Sequence, residues 1–229
     1  MTRKKRQDSY RNSKSKSGEL SSRIKPELAV KIRACAKKTD RSSMAIVNEA
    51  IERYLNDMVN DFDTVPDFEN IQAGDKFIYR GLEWVCLDPK FMEGDVLGVL
   101  AIATKLISED VEFGEDNNYL NSNLRKTMKN LEEDIISEDV FIPHLVDTID
   151  ESGTDRYGSV TECVFPLSIH EYIKYAKFIP QYDEWFWLRS PYPGLADYVR
   201  FVYSDGSLGY HYASFALGAA PACIFNPQI

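Results

Sequence analysis

The sequence predicts a multi-domain chain, a small dimeric β-α-α unit at the N-terminus followed by a larger α+β domain. Three observations predict it. A polar/apolar alternation over residues 19–24 leads into two helical periodicities that end near Met58. The charge divides at almost the same place: residues 1–60 hold 15 Lys+Arg and 7 Asp+Glu, the remainder 12 and 29, for nets of +8 and −17. Beyond that point strand and helix patterns mix without regular βαβ alternation, which reads as α+β.

Taken in order, residues 1–17 (MTRKKRQDSYRNSKSKS) have almost no apolar content, and they predict a disordered basic arm. The favoured role for its cations, Lys4, Lys5 and Arg6 among them, is phosphate contact with steep salt dependence; the alternative is a solvated tail. Leu20, Ser22 and Ile24 then alternate with Glu19, Ser21 and Arg23, so a strand here buries one triplet and presents the other. Pro26 fits the first position of a helix, with Leu28, Ile32, Cys35 and Ala36 at helical spacing. Thr39-Asp40-Arg41 ends it. Ser42 or Ser43 caps a second helix whose apolar stripe is Met44, Val47, Ala50, Ile51, Tyr54 and Leu55.

The run ELSSRIKPELAVKIRACAKKTDRSSMAIVNEAIERYL resembles a ribbon-helix-helix DNA-binding domain of bacterial and phage repressors, spanning residues 18–58. Asp40 stands where the family's turn carries glycine, which is tolerable because Asp visits left-handed backbone more readily than most residues. Ser22 stands where the family carries a large hydrophobe. The physics runs parallel to the resemblance. A strand and two short helices cannot bury enough surface to stand alone, so pairing two strands across a homodimer is the economical solution. The outer triplets, Glu19, Ser21 and Arg23 from each chain, would enter a major groove: Arg23 to guanine, Ser21 to either kind of edge, Glu19 to a cytosine amino group. Lys25 and the backbone N–H groups of Ser42, Ser43 and Met44 suit phosphate oxygens.

Residues 59–71 turn acidic and polar around Pro66 and read as a linker, leaving 72–229 as the second domain. There, Phe77 and Tyr79, then Leu82, Trp84 and Cys86, flank Arg80-Gly81 as a β-hairpin. Residues 96–103 supply another strand. A helix follows with Leu124, Met128 and Leu131 on one face, then a Ser168-x-x-Glu171 capping box opening a short helix that carries Ile169, Tyr172 and Tyr175. EWFWLRSP, a hairpin turning at Asp205-Gly206 and a terminal apolar segment close the chain. The set Gly81-Leu82-Glu83-Trp84, Tyr119-Leu120-Asn121, Phe165-x-Leu167-Ser168, Trp187-Leu188-Arg189-Ser190-Pro191, Ser204-Asp205-Gly206-Ser207 and Gly218-x-x-Pro221-Ala222 resembles an uncharacterised bacterial and phage domain family. That family is grouped with C-type-lectin-like folds and is distantly similar to formylglycine-generating enzymes. Ala220 replaces the arginine expected before the terminal Pro-Ala.

Chemistry is sparse. Four scattered cysteines without Cys-x-x-Cys argue against structural zinc and point to reduced thiols in a cytoplasmic setting. No apolar run approaches membrane-span length and the basic N-terminus lacks a secretory core, so neither membrane nor export is expected. His144, His170 and His211 are dispersed, which leaves no catalytic set, no cofactor and no metal expected. Glu109, Asp110, Glu112, Glu115 and Asp116 read as a solvated acidic loop rather than a calcium site. Arg189, bracketed by Trp185 and Trp187, has two readings: a cation that holds an anionic or sugar ligand, or, favoured, a packed residue paired with a buried carboxylate or loop carbonyls. Arg200 and Tyr203, with Tyr198, Tyr210, His211 and Tyr212, are groups that recognise partners, half of them expected to face inward.

The leading expectation is a dimeric, sequence-specific regulator that binds double-stranded DNA and carries a C-terminal domain for a small-molecule or protein ligand. Ligand occupancy would bias the spacing of the two chains and hence operator affinity. The runner-up is a carbohydrate- or protein-recognition module dimerised by its N-terminal part. A third reading, an antitoxin-like repressor, fits the N-terminal pattern but not a C-terminal domain of ordinary compact size.

Overall fold

The computed structural model describes residues 25–62, 67–136 and 139–228. The chain divides into two compact units, Met1–Asp61 and Phe62–Ile229.

In the first unit, α1 spans Pro26–Thr39, with proline in its first turn where a missing N–H costs nothing. Asp40 ends it in the left-handed conformation, φ 52° and ψ 39°, with its N–H donating to Ala36 O. The glycine-like geometry is thus met by the aspartate. Helix α2 spans Ser43–Phe62. Ser42 is its cap, its Oγ accepting from the Ala45 N–H at 3.1 Å. Arg41 pairs with Glu49 across the turn. No side chain described in this unit is buried: Leu28, Val30, Met44 and Ile51 are all about half exposed or more, at 52, 64, 45 and 51%. The strand expected at 19–24 lies outside the described residues.

The second unit corrects the fold class expected for it, α+β. Its described residues form twelve strands in three sheets against two α-helices and one 3-10 turn, so it is predominantly β. The strands are β1 (Lys76–Tyr79), β2 (Leu82–Glu93), β3 (Val96–Ala103), β4 (Ser108–Glu112), β5 (His144–Ile149) and β6 (Asp155–Glu162), then β7 (Val164–Phe165), β8 (Phe186–Pro191), β9 (Tyr198–Val202), β10 (Leu208–Tyr212), β11 (Ala216–Ala219) and β12 (Ala222–Phe225). The helices are α3 (Asn123–Ile135) and α4 (Ile169–Tyr175).

One sheet has the order β1-β2-β3-β12-β7, the second β10-β9-β8-β11-β4, and β5-β6 form a separate ribbon. Apart from β8 with β11, the pairs are antiparallel. The last strand is therefore central to the first sheet, between β3 and β7. Phe225 on it makes ring contacts with Phe77 and Phe141 at 5.0 Å and with Trp84 at 5.5 Å, so the chain's final strand completes the core. The β1–β2 hairpin turns on Arg80 and Gly81, both at positive φ (51° and 73°), as a two-residue loop matched to strand twist requires.

Two boundaries move. Helix α2 continues into the segment expected to be linker, and Phe68 and Ile71, 5% exposed, belong to the second unit's core. The acidic loop expected at 109–116 is partly strand β4. Only Val111 on it is buried, against its register partner Leu217 on β11, so the remaining acidic side chains stay in solvent and mask the strand. Among the described residues no helix is long and apolar enough to cross a membrane.

Candidate functional site

In the first unit the proposed base contacts Glu19, Ser21 and Arg23, and the arm residues Lys4, Lys5 and Arg6, lie outside the described residues. Lys25 is exposed directly ahead of α1. Ser42, Ser43 and Met44 are exposed together at the start of α2, where the first N–H groups of a helix have no carbonyl four residues back to reach. That end carries the partial positive charge of the helix, the setting in which a phosphate oxygen is stabilised.

In the second unit the structure separates the residues expected to form one ligand site. Trp187 and Arg189 on β8 are fully buried, the indole Nε1–H donating to Val111 O at 2.8 Å. Trp185, just before β8, lies at the surface and contacts Phe201 (5.3 Å between ring centroids) and Tyr203 (4.7 Å). Arg200 and Tyr203 differ by an odd number of residues. Arg200 accordingly joins a different set of rings.

Arg189 matches the paired reading. Its Nη1 donates to Pro166 O at 3.0 Å and to Glu171, Nη2 reaches Glu171 Oε1 at 3.2 Å, and Nε donates to Asp147 O at 2.8 Å. Glu171 is placed by the capping box of α4: Ser168 Oγ accepts from the Glu171 N–H and Glu171 Oε2 from the Ser168 N–H. The same carboxylate lies 3.3 Å from His144 Nε2, and His144 Nδ1 lies 2.6 Å from Glu93 Oε2. Glu93 Oε1 also accepts from the Leu145 N–H at 2.8 Å. Burial alone would raise the Glu171 carboxyl. The Arg189 charge, His144 and the Ser168 N–H outweigh it and hold that carboxyl well below the usual range. Burial would likewise lower His144, but hydrogen bonds to Glu171 and Glu93 raise it above its ordinary value.

A second buried cluster sits nearby in sequence order. Glu162, with no exposed surface on its side chain, accepts from Tyr119 Oη and from Arg125 Nε, each at 2.7 Å. Both clusters spend their hydrogen-bonding groups on one another and on backbone. They tie β2, β5, β8 and α4 together, and tie the Tyr119 turn to α3 and β6, rather than presenting a reactive group.

The exposed counterpart is the outer face of the β9–β10 hairpin. Register pairs Tyr198 with Tyr212 and Arg200 with Tyr210, so the four side chains share one face. Tyr198 and Tyr212 lie 4.3 Å apart between ring centroids, as do Tyr192 and Tyr210. Tyr210 and Tyr212 are 49 and 50% exposed. His211 turns to the other side, 4.1 Å from the Phe215 ring. Tyr192 and Glu151, which the sequence did not mark, complete this face, and Asn117, also unmarked, supports it from beneath. Asn117 is fully buried, and its Nδ2 donates to Leu195 O and Tyr198 O at 2.8 and 2.9 Å while its Oδ1 accepts from Tyr157 Oη at 2.6 Å. A two-residue turn at Asp205-Gly206 would pair Arg200 with His211, whereas the observed register pairs it with Tyr210, so the sequence named these side chains without grouping them; the loop contacts carry no local signal.

Comparison with known proteins finds no matching family model, no matching curated protein and no matching solved structure.

Proposed function

We propose that this protein is a sequence-specific DNA-binding regulator, dimeric through an N-terminal ribbon-helix-helix, whose larger unit binds a ligand or partner. The observation that carries the reading is the helix pair of the first unit. Among the described residues of its apolar stripe, Leu28, Met44 and Ile51 are left about half exposed in a single chain, directly after a sequence of strongly basic character. A second copy would cover that stripe, and the start of α2 and the basic arm would then lie on a unit of net positive charge. Groove reading falls to Glu19, Ser21 and Arg23.

The test is selection of bound genomic fragments followed by gel shift on the recovered site. A palindromic site, binding that weakens steeply with salt, and loss of the shift in Arg23→Ala support the reading. Sequence-indifferent binding by the wild-type chain defeats it. The second reading, a recognition module that the first unit merely dimerises, is favoured by the tyrosine face. Tight ligand binding with negligible DNA affinity would select it.

A further inference from the structure

Arg200 illustrates how the tyrosine face holds a cation. Its guanidinium carbon lies 4.7 Å from the centre of the Tyr192 ring and 5.8 Å from that of Tyr210, and its Nε donates to Glu151 Oε2 at 2.6 Å. Nη2 pairs with the other carboxylate oxygen. Two ring faces supply the negative side of an aromatic quadrupole and the carboxylate supplies the countercharge.

The neighbouring pair repeats that arrangement without the cation. Tyr198 and Tyr212 are register partners inclined at 39°, and the exposed Asp197 precedes Tyr198. The Tyr198 phenol is pushed up to about 12, first by its hydrogen bond with Tyr212 and further by partial desolvation and the Asp197 charge, so it stays neutral in the field of a carboxylate. Among the described residues, cations stand over Tyr192 and Tyr210 but none over Tyr198 or Tyr212. Asn117 holds the backbone of the 192–198 loop at Leu195 and Tyr198, which lowers the ordering that binding there would cost.

Charge decides the occupant. Beyond residue 60 the chain carries a net of −17, which repels nucleic acid and anionic surfaces and attracts basic polypeptide. The nearby exposed cation Arg156 acts on Asp150 and does not reverse that balance. A neutral sugar could stack on the rings and donate hydroxyls to a carboxylate, but the net negative charge of the unit would add nothing to its binding.

We propose that the outer face of the β9–β10 hairpin docks an arginine- or lysine-rich segment of a partner protein, the Tyr198–Tyr212 pair and Asp197 receiving one of its cations beside the resident Arg200. This deepens the partner-binding part of the proposed function and is independent of DNA binding. The experiment is fluorescence anisotropy of a labelled alternating Arg/Ser peptide with the full chain at about 0.15 M salt. Saturable binding is expected, weakened about 3- to 10-fold by Tyr198→Leu or Tyr212→Leu, restored by the phenylalanine at either position, and weakened about 3-fold by Asp197→Asn. An alternating Gly/Ser peptide should not bind. Affinity unchanged in the Tyr198→Leu/Tyr212→Leu double variant would mean diffuse attraction to an acidic surface and would overturn the proposal. So would displacement by neutral oligosaccharide but not by unlabelled basic peptide, or peptide binding that merely competes with self-association or with the chain's own basic arm. Gel shifts on the same samples separate the two readings: peptide binding without DNA binding sinks only the regulator, and the reverse sinks only the docking site.

Discussion

Glu171 is the residue on which most of the second unit's polar interior converges. It caps α4, receives Arg189 and faces His144, so one carboxylate joins a helix start, a central strand and the β5 ribbon. Removing its cation would strand a charge away from water. Arg189→Met is therefore expected to destabilise the second unit by about 3–5 kcal/mol, whereas Arg189→Met/Glu171→Gln should recover part of that loss because no lone charge remains. Trp84, Trp185 and Trp187 are the chain's three tryptophans and all lie in this unit, so denaturation followed by tryptophan emission reads it selectively. A single variant with wild-type stability would mean that the pairing contributes nothing. The pH dependence has two opposite limbs. The depressed Glu171 contributes stability that is present above its unfolded value, about 4.3, and lost as pH falls through its lower folded value. The raised His144 contributes stability that is full below its unfolded value, about 6.5, and lost as pH rises through its folded value. His144→Asn should flatten the decline that begins near pH 6.5 and weaken the acid limb only in part, because Arg189 and the Ser168 N–H still hold the Glu171 carboxyl down; an unchanged slope above pH 6.5 would remove His144 as its cause.

Among the elements, those with local chemistry were the legible ones. The Arg80-Gly81 and Asp205-Gly206 turns, the Ser168 capping box and the Leu124/Met128 face all occur where turn and cap residues or helical spacing marked them. What local pattern could not supply was pairing partners. Strand β12 enters between β3 and β7, which are far from it in sequence, and β4 hides one buried valine among acids. The β5–β6 ribbon alternates too weakly to announce itself, with β6 mostly exposed or half-buried. These omissions tipped the expected α+β balance toward strand. The tyrosine face was half legible: Tyr198, Arg200, Tyr210 and Tyr212 stand out as recognition groups in a hairpin, but the register that groups them is one residue away from that of a two-residue turn, and Asn117 and Glu151 arrive from distant segments. Gly209 gives that hairpin a testable weak point. A Cβ there would lie 2.7 Å from Phe201 Cε1 and Cζ and 2.8 Å from Tyr203 Cε2, on rings already packed against Trp185. Gly209→Ala should cost about 1–3 kcal/mol and shift the emission of Trp185, measured by the same denaturation and by its spectrum. Neither change would mean that the rings can move aside freely.

At the scale of the whole molecule, the two units differ in kind. The larger one encloses a continuous aromatic and aliphatic core, while the smaller leaves every described side chain at least partly open to solvent. A helix pair with so little buried surface draws its stability from something outside itself. A second copy is the proposed source, and burying Leu28, Met44 and Ile51 in it would also make the unit's folding depend on concentration. Ile51 is the sharpest probe because it sits in mid-helix, away from the capped start of α2 that is assigned to phosphate. Ile51→Glu places a charge where apolar contact is expected. Sedimentation should show the variant shifted to monomer at concentrations where the wild type is dimeric, with DNA affinity falling at least 10-fold because one chain carries only half of a two-stranded ribbon. The tryptophan-reported transition of the larger unit should not move, since that unit has its own core. A variant that stays dimeric and keeps its DNA affinity would place the dimer contact on another surface and take the exposed stripe of the helix pair out of the argument.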